Sequence, residues 1–171
     1  MMSCQHAKKV NIPVKYIDPN MPTLEMTEKG DFVDLSVRGV HIPLSEQTVE
    51  QRQSDEGLLT WEIHADTFFY IKLGVAMKLP ENHEAWVTPR GSLFKKKFLL
   101  LTNSPGIIDN SFCGENDEWL ASVYATRRTR IVQYEKLFQF RIVENQPRLN
   151  FEQVDMMFEA DRGSFGSTDN E

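Results

Sequence analysis

The chain has 171 residues, 40% of them hydrophobic and 26% charged, with a formal charge of −6 from 25 acidic and 19 basic side chains. This length and composition fit one globular domain with its own core and exclude global disorder. The acidic balance argues against a generic duplex nucleic-acid binder, which needs a basic surface to neutralise phosphate, and no apolar run reaches the length of a membrane span.

In chain order the elements read as mostly strand. In KVNIPVKYI, Val10, Ile12, Val14 and Tyr16 alternate with polar or small residues, the period-2 mark of a half-buried strand. Pro13 inside that run predicts an edge position. After the turn-rich DPNMPT, FVDLSVRGV alternates again. The run LTWEIH places Leu59, Trp61 and Ile63 on one face and Thr60, Glu62 and His64 on the other. FFYIKLGVAMKL is a long apolar run, and EAWVTP, FLLLTN, EWLASVYA, TRIVQY and LFQFRIV are short strands separated by turn signals. One short helix is expected over SLFKKKF. Many short strands in one domain imply a sandwich, barrel or jelly roll.

Two segments are irregular. The polar stretch within residues 44–58 has no aromatic residue and reads as a surface loop or extended hairpin tip. The C-terminal DRGSFGSTDNE reads either as a frayed tail or as an arm whose amides, hydroxyls and arginine can wrap phosphates. The N-terminal MMSCQHAKK has no apolar segment behind its basic residues, so a secretory signal is not expected. Cys4 and Cys113 have no metal-ligand spacing and cannot form a disulfide framework, which points to a reducing, cytoplasmic setting.

Chemistry concentrates in a few stretches. GDFVDLSV carries Asp34, TPRGSL carries Arg90 and Ser92, TNSPGIIDNSFCG carries Asn103, Asp109 and Phe112, and DRGSFGSTD carries Arg162, Ser167 and Thr168. Arginines and hydroxyls suit phosphate, carboxylates suit a metal or a base, and aromatic rings suit a base or sugar. No Ser-His-Asp arrangement is evident, so hydrolysis by carboxylate-activated water is the simplest chemistry these residues permit.

The order and spacing of these stretches, with KLFQFRI before the last, resemble the trimeric dUTPase family, closest to its phage and Bacillus type. The phrases VKY, TNSPGIIDNSF and GENDEW carry that subtype. Each motif is weak alone; five in order over nearly the whole chain make a specific signal. The resemblance implies an all-β, jelly-roll-like fold (a β-clip) over residues 1–159 and an arm over 160–171 that swaps to close a neighbour's site. It also implies a homotrimer with sites at subunit interfaces, dUTP as substrate, and Mg²⁺ riding mainly on the triphosphate.

Residue by residue, Asp109 matches the family's catalytic carboxylate, which orients or deprotonates the attacking water. Asn103, with the hairpin backbone from Gly106 through Ile108 to Gly114, matches the uracil pocket. Phe112 stands where the family usually has Tyr against deoxyribose. Arg90 and Ser92 match phosphate contacts, while Gly91 replaces the usual motif serine. Gln139 matches a further phosphate contact, but the Gly-Asp-Arg usual before it reads Tyr134-Glu135-Lys136. Asp34 matches the aspartate expected to hold Mg²⁺-bound waters. Arg162 would reach the γ-phosphate, Phe165 would cover uracil, and Gly166, Ser167 and Thr168 would wrap the phosphates, with Asp169 in place of the usual final glycine.

An active dUTP diphosphatase is the leading expectation, limiting uracil in DNA and supplying dUMP for thymidylate synthesis. The departures at Gly91, Phe112, Lys136 and Asp169 motivate a second reading, a dUTPase-like nucleotide-binding regulator with reduced turnover. A related dCTP deaminase ranks third, because the uracil-type hairpin and the RGSFGST tail favour the hydrolase. Neither nucleic acid nor membrane is an expected partner, and the 44–58 segment is open as a protein-contact site.

Overall fold

The computed structural model describes residues 9–28, 30–43 and 49–157. Those residues form thirteen strands, all paired antiparallel, and one short helix. The strands are β1 (Val14–Tyr16), β2 (Val33–Ser36), β3 (Gly39–His41), β4 (Glu50–Gln53), β5 (Leu59–Ile63), β6 (Thr67–Lys72) and β7 (Val75–Met77). They continue with β8 (His83–Pro89), β9 (Leu99–Leu101), β10 (Gly106–Ile108), β11 (Leu120–Ala125), β12 (Thr129–Val132) and β13 (Lys136–Glu144). The helix α1 (Leu93–Lys97) lies between β8 and β9. The all-β class and the short helix are as the sequence predicts.

Two four-stranded sheets, β10-β8-β13-β2 and β3-β6-β11-β9, share one core with a three-stranded sheet, β12-β5-β4, and the pair β1-β7. Alternation builds that core. Phe69 and Ile71 of β6, Ala121 and Val123 of β11, and Val87 of β8 point inward and are almost fully buried. Trp119 sits among them without exposure, edge-on to Phe140 at 5.2 Å between ring centroids.

The long apolar run over residues 68–79 is two strands rather than one. It breaks at Gly74, whose φ of +70° suits glycine and lets the chain leave one sheet for another. Glu118 fixes the corner: it accepts from the Gly74 amide at 2.9 Å and grips Arg38 with both oxygens at 2.7 and 2.6 Å. The N-terminal strand is shorter than its alternation predicts. Only Val14–Tyr16 pairs, against β7, and Pro13 contributes its carbonyl alone, accepting from the Lys78 amide at 3.0 Å. Within the polar segment, β4 forms a hairpin with β5, every one of its side chains exposed. Among the described residues, no helix is long and apolar enough to cross a membrane.

Tyr134 replaces a glycine expected from the resemblance, and it adopts a left-handed backbone with φ 65°. Its amide donates to the Val37 carbonyl and its hydroxyl to Asp18, both at 2.6 Å. The Tyr134 hydroxyl, and after it the Asn20 amide, hold the Asp18 carboxyl below its usual range. A carboxyl depressed in the folded state stabilises above its unfolded pKa, about 3.9, and loses that contribution as pH falls through the folded value. Tyr134→Phe is therefore expected to lower Tm by about 2–4 °C at pH 7, the scale of one hydrogen bond in a chain this size. The difference should shrink as pH falls through the folded-state value of the Asp18 carboxyl, which lies below its ordinary range, as thermal melts across pH will show.

Candidate active site

One group of candidate residues gathers where β8 ends. The Arg90 amide donates to the Leu137 carbonyl at 3.0 Å, which ties the segment after β8 to the start of β13. The Arg90 Nε lies 3.1 Å from one Asp34 oxygen, and the Lys136 Nζ lies 3.5 Å from the other. In the β13 ladder Gln139 pairs with Asp34 on one side and Thr88 on the other, and its Nε2 donates to the Pro89 carbonyl at 3.4 Å. Three expected site residues, Asp34, Arg90 and Gln139, are thus direct neighbours.

Beside them is a cleft of about 130 Å³ lined by Arg90, Ser92, Lys96, Lys97, Glu135 and Lys136. Four cations against one carboxylate make it a place for an anion. Lys97 is committed to Glu135 at 2.7 Å and to the Arg130 carbonyl, whereas Lys96 is exposed. Ser92 precedes α1 but makes no side-chain capping bond, so its hydroxyl is available to the cleft. Gly91 is exposed, its φ lies outside the left-handed region, and a Cβ added there would meet nothing within 4 Å.

The donor set does not fit a protein-held metal. Both Asp34 oxygens face cations, and no group of three or more His, Cys, Asp or Glu side chains is placed to hold an ion among the described residues. In this structure Asp34 is the counter-charge that pairs with Arg90 and Lys136. Magnesium entering here would do so on phosphate oxygens, as part of the substrate.

A second group lies on β10 and the turn after it. Gly106 is buried against Val87, with the Asn103 amide nitrogen 3.6 Å from the position a Cβ would take. Ile108 is half-buried, and Phe112 is 39% exposed. Asp109 is exposed, and its Oδ1 accepts from both the amide of Ser111, at 2.8 Å, and the Ser111 hydroxyl. Those donors, hydroxyl first, hold the carboxyl below the usual carboxylate range. The expected hairpin over residues 106–114 has only its first arm as a strand. Beyond Ile108 the chain closes into tight turns, with Phe112 N to Asp109 O at 3.2 Å and Gly114 N to the Asp117 carboxylate at 2.6 Å. The Asp109 and Asp117 carboxylates take backbone donors a strand would need. β10 pairs with β8 alone, which leaves its outer edge of N–H and C=O groups open.

β8 carries both groups and sets the Asp109 turn apart from Arg90. Ile108 pairs with Ala85 near one end of the strand, and Arg90 follows Pro89 at the other. Five residues of extended chain span roughly 16 Å, and Asp109 continues away from Arg90. Arg162, Phe165, Gly166, Ser167 and Thr168 lie outside the described residues. The sequence reading missed Ser111, although Asp-x-Ser in a turn is a recognisable self-bonding pattern. It also missed the pairing of Lys136 with Asp34, which only the β2–β13 register creates.

No family model matches the chain. It is 36% identical over 159 residues, 93% of this chain and 98% of the relative, to the SPbeta prophage-derived deoxyuridine 5′-triphosphate nucleotidohydrolase of Bacillus subtilis (strain 168). Its fold matches a variant of the Staphylococcus bacteriophage 80alpha dUTPase with dUpNHpp at a TM-score of 0.60 and 18% identity, over 94% of this chain and 99% of that one. It also matches a variant of the dUTPase from phage phi11 of S. aureus, in which a structural Mg(II) ion is coordinated, at a TM-score of 0.61 and 15% identity, over 86% and 98% of the two chains. These likenesses agree with the jelly-roll-like class expected from sequence, and the near-complete match to the Bacillus relative places this chain in the deoxyuridine 5′-triphosphate nucleotidohydrolase (dUTPase) family.

Proposed function

We propose that the protein hydrolyses dUTP, bound as its Mg²⁺ complex, to dUMP and pyrophosphate. The observation that carries the hydrolytic reading is Asp109: an ionised, solvent-facing carboxylate whose two hydrogen bonds both fall on Oδ1. The other oxygen is open to a water. A carboxylate held below its usual pKa is a weak base, so its main contribution is to orient that water toward the α-phosphorus and to take its proton late. Arg90 and Lys136, fixed by Asp34, meet the phosphate oxygens as charge moves to the leaving pyrophosphate, and Gln139 adds an amide donor. Asn103 and the open edge of β10 at Gly106 and Ile108 complement the acceptor-donor-acceptor edge of uracil. Phe112 covers the deoxyribose.

The same reading makes the enzyme a homotrimer. One nucleotide has to meet the Asp109 water and the phosphate contacts together, yet in one protomer Asp109 and Arg90 occupy opposite ends of β8. A second copy bringing its Asp109 turn to the first copy's Arg90 cleft completes the site. The chain after β13 supports assembly: it runs without strand partners to Met157, with Phe151 89% exposed and Met157 76% exposed. An apolar groove of about 730 Å³, bounded by Ile12, Val14, Leu24, Val33 and Phe140, is open on the same molecule. Residues 160–171 then form the closing arm, with Arg162 on the γ-phosphate, Phe165 over uracil and Gly166, Ser167 and Thr168 around the phosphates. A soluble nucleotide substrate and the free thiol of Cys113 fit a reducing cytoplasm.

Pyrophosphate release should be seen with dUTP and not with dCTP, dTTP or UTP. Asp109→Asn should lower turnover by about 10²–10⁴-fold, the usual scale for a positioned base, with dUTP binding retained. Tight dUTP binding without release by the wild type would instead support the regulatory reading.

Gly91 gives a second test. With room for a side chain and no left-handed backbone to protect, Gly91→Ser should fold normally and raise turnover by restoring a donor to the phosphates. Ser92→Ala should lower turnover by about 10-fold or more, the scale of one hydrogen bond to a charged group. Steady-state kinetics on both variants checks this.

A further inference from the structure

We propose that Ser111 is a positioning residue for the hydrolysis, its hydroxyl holding the Asp109 carboxylate so that one oxygen is presented to the attacking water. The inference rests on the reading of Asp109 as the water-orienting group and extends it to a side chain outside the motif positions considered above.

The argument begins with where the two bonds fall. Amide and hydroxyl of Ser111 both donate to Oδ1, and Oδ2 accepts no hydrogen bond among the described residues. An exposed aspartate with one donor keeps rotational freedom about its side-chain torsions. Two donors converging on one oxygen remove it and fix the direction of the other oxygen. The backbone amide alone would form the turn, so the hydroxyl is not needed to fold it. It is the additional restraint.

Among the described residues no lysine or arginine pairs with Asp109. Nearby acids are engaged elsewhere. Glu84, next to the last residue of β8 paired with β10, accepts from the Trp86 indole. Glu115 pairs with Lys15 at 2.7 Å, and Asp117 accepts from the Gly114 amide. The low pKa of the Asp109 carboxyl has the Ser111 hydroxyl as its first cause, with no charged partner contributing. Ser111 therefore aims a carboxylate that is already ionised at neutral pH, and its hydroxyl lowers the pKa further.

The experiment compares Ser111→Ala, Ser111→Thr and Asp109→Asn in the full-length protein with Mg²⁺ and dUTP. Ser111→Ala keeps the backbone bond and is expected to lower kcat by about 2- to 12-fold, the worth of one hydrogen bond, with KM unchanged. The Asp109 carboxyl titration, followed by carbon NMR, should move upward in pH. Ser111→Thr, which keeps the hydroxyl, should restore both properties, and it carries the test by itself if the alanine variant does not assemble. Unchanged kcat and titration in Ser111→Ala beside an inactive Asp109→Asn would overturn the inference and leave the role of Asp109 standing. A threonine variant as impaired as the alanine would also overturn it. An active Asp109→Asn would overturn the reading of Asp109 itself.

Discussion

The architecture of the site depends on the antiparallel pairing of β8 with β13. Seven positions are in register, from Phe138 opposite Pro89 to Glu144 opposite His83. That ladder brings Gln139 between Asp34 and Thr88, brings the Lys136 ammonium to Asp34, and delivers Arg90 at the strand's end. The other edge of β8 is taken by β10, which sets the Asp109 turn at the opposite end. A strand cannot be shortened without losing the ladder, so the two groups of residues stay apart within a chain. In the proposed trimer, assembly is the route by which they would meet.

Electrostatics divides along the same line. The chain carries a net negative charge, yet the cleft at the end of β8 concentrates lysine and arginine. Asp34 offsets part of that charge and orders it, since an arginine held by a carboxylate presents its remaining N–H groups in a fixed direction. At the other end the arrangement is acidic: an aspartate whose donors are supplied by serine and backbone, with no lysine or arginine paired to it among the described residues. In the proposed function, a phosphate chain bound in the cleft and a water held by the aspartate would be the complementary halves of a phosphoryl transfer to water. The unbonded Ser92 hydroxyl lines the cleft, and Gly91 beside it in sequence leaves open room for a side chain.

Much of this is legible in the residues. Alternation in TFFYIK and LASVYA gives strands that bury one face, and LFKKK after Pro-Arg-Gly gives the single short helix. Family resemblance selects Asp34, Arg90 and Gln139, which the β2–β13–β8 ladder makes neighbours. Other features depend on contacts remote in sequence. The break at Gly74 needs Glu118, 44 residues away, to accept its amide. Val10 and Ile12 alternate as a strand would, but among the described residues no strand pairs with them. The second arm of the uracil hairpin reads as extended until Asp109, Ser111 and Asp117 draw its backbone into turns. Lys136 reads as a weakened arginine, and only the register shows that it completes the cage of cations around Asp34.

The central claim is that each site joins the Arg90 cleft of one copy to the Asp109 turn of another, and subunit mixing tests it most directly. Arg90→Ala and Asp109→Asn are each made inactive, then denatured, mixed in equal amounts and refolded together. If the two groups come from different copies, chance assembly gives about one quarter of the sites an intact Arg90 and an intact Asp109, and about a quarter of wild-type pyrophosphate release returns. If both groups belong to one chain, no site in any mixture is whole. Activity of the mixture no higher than that of the two variants measured separately would contradict the account.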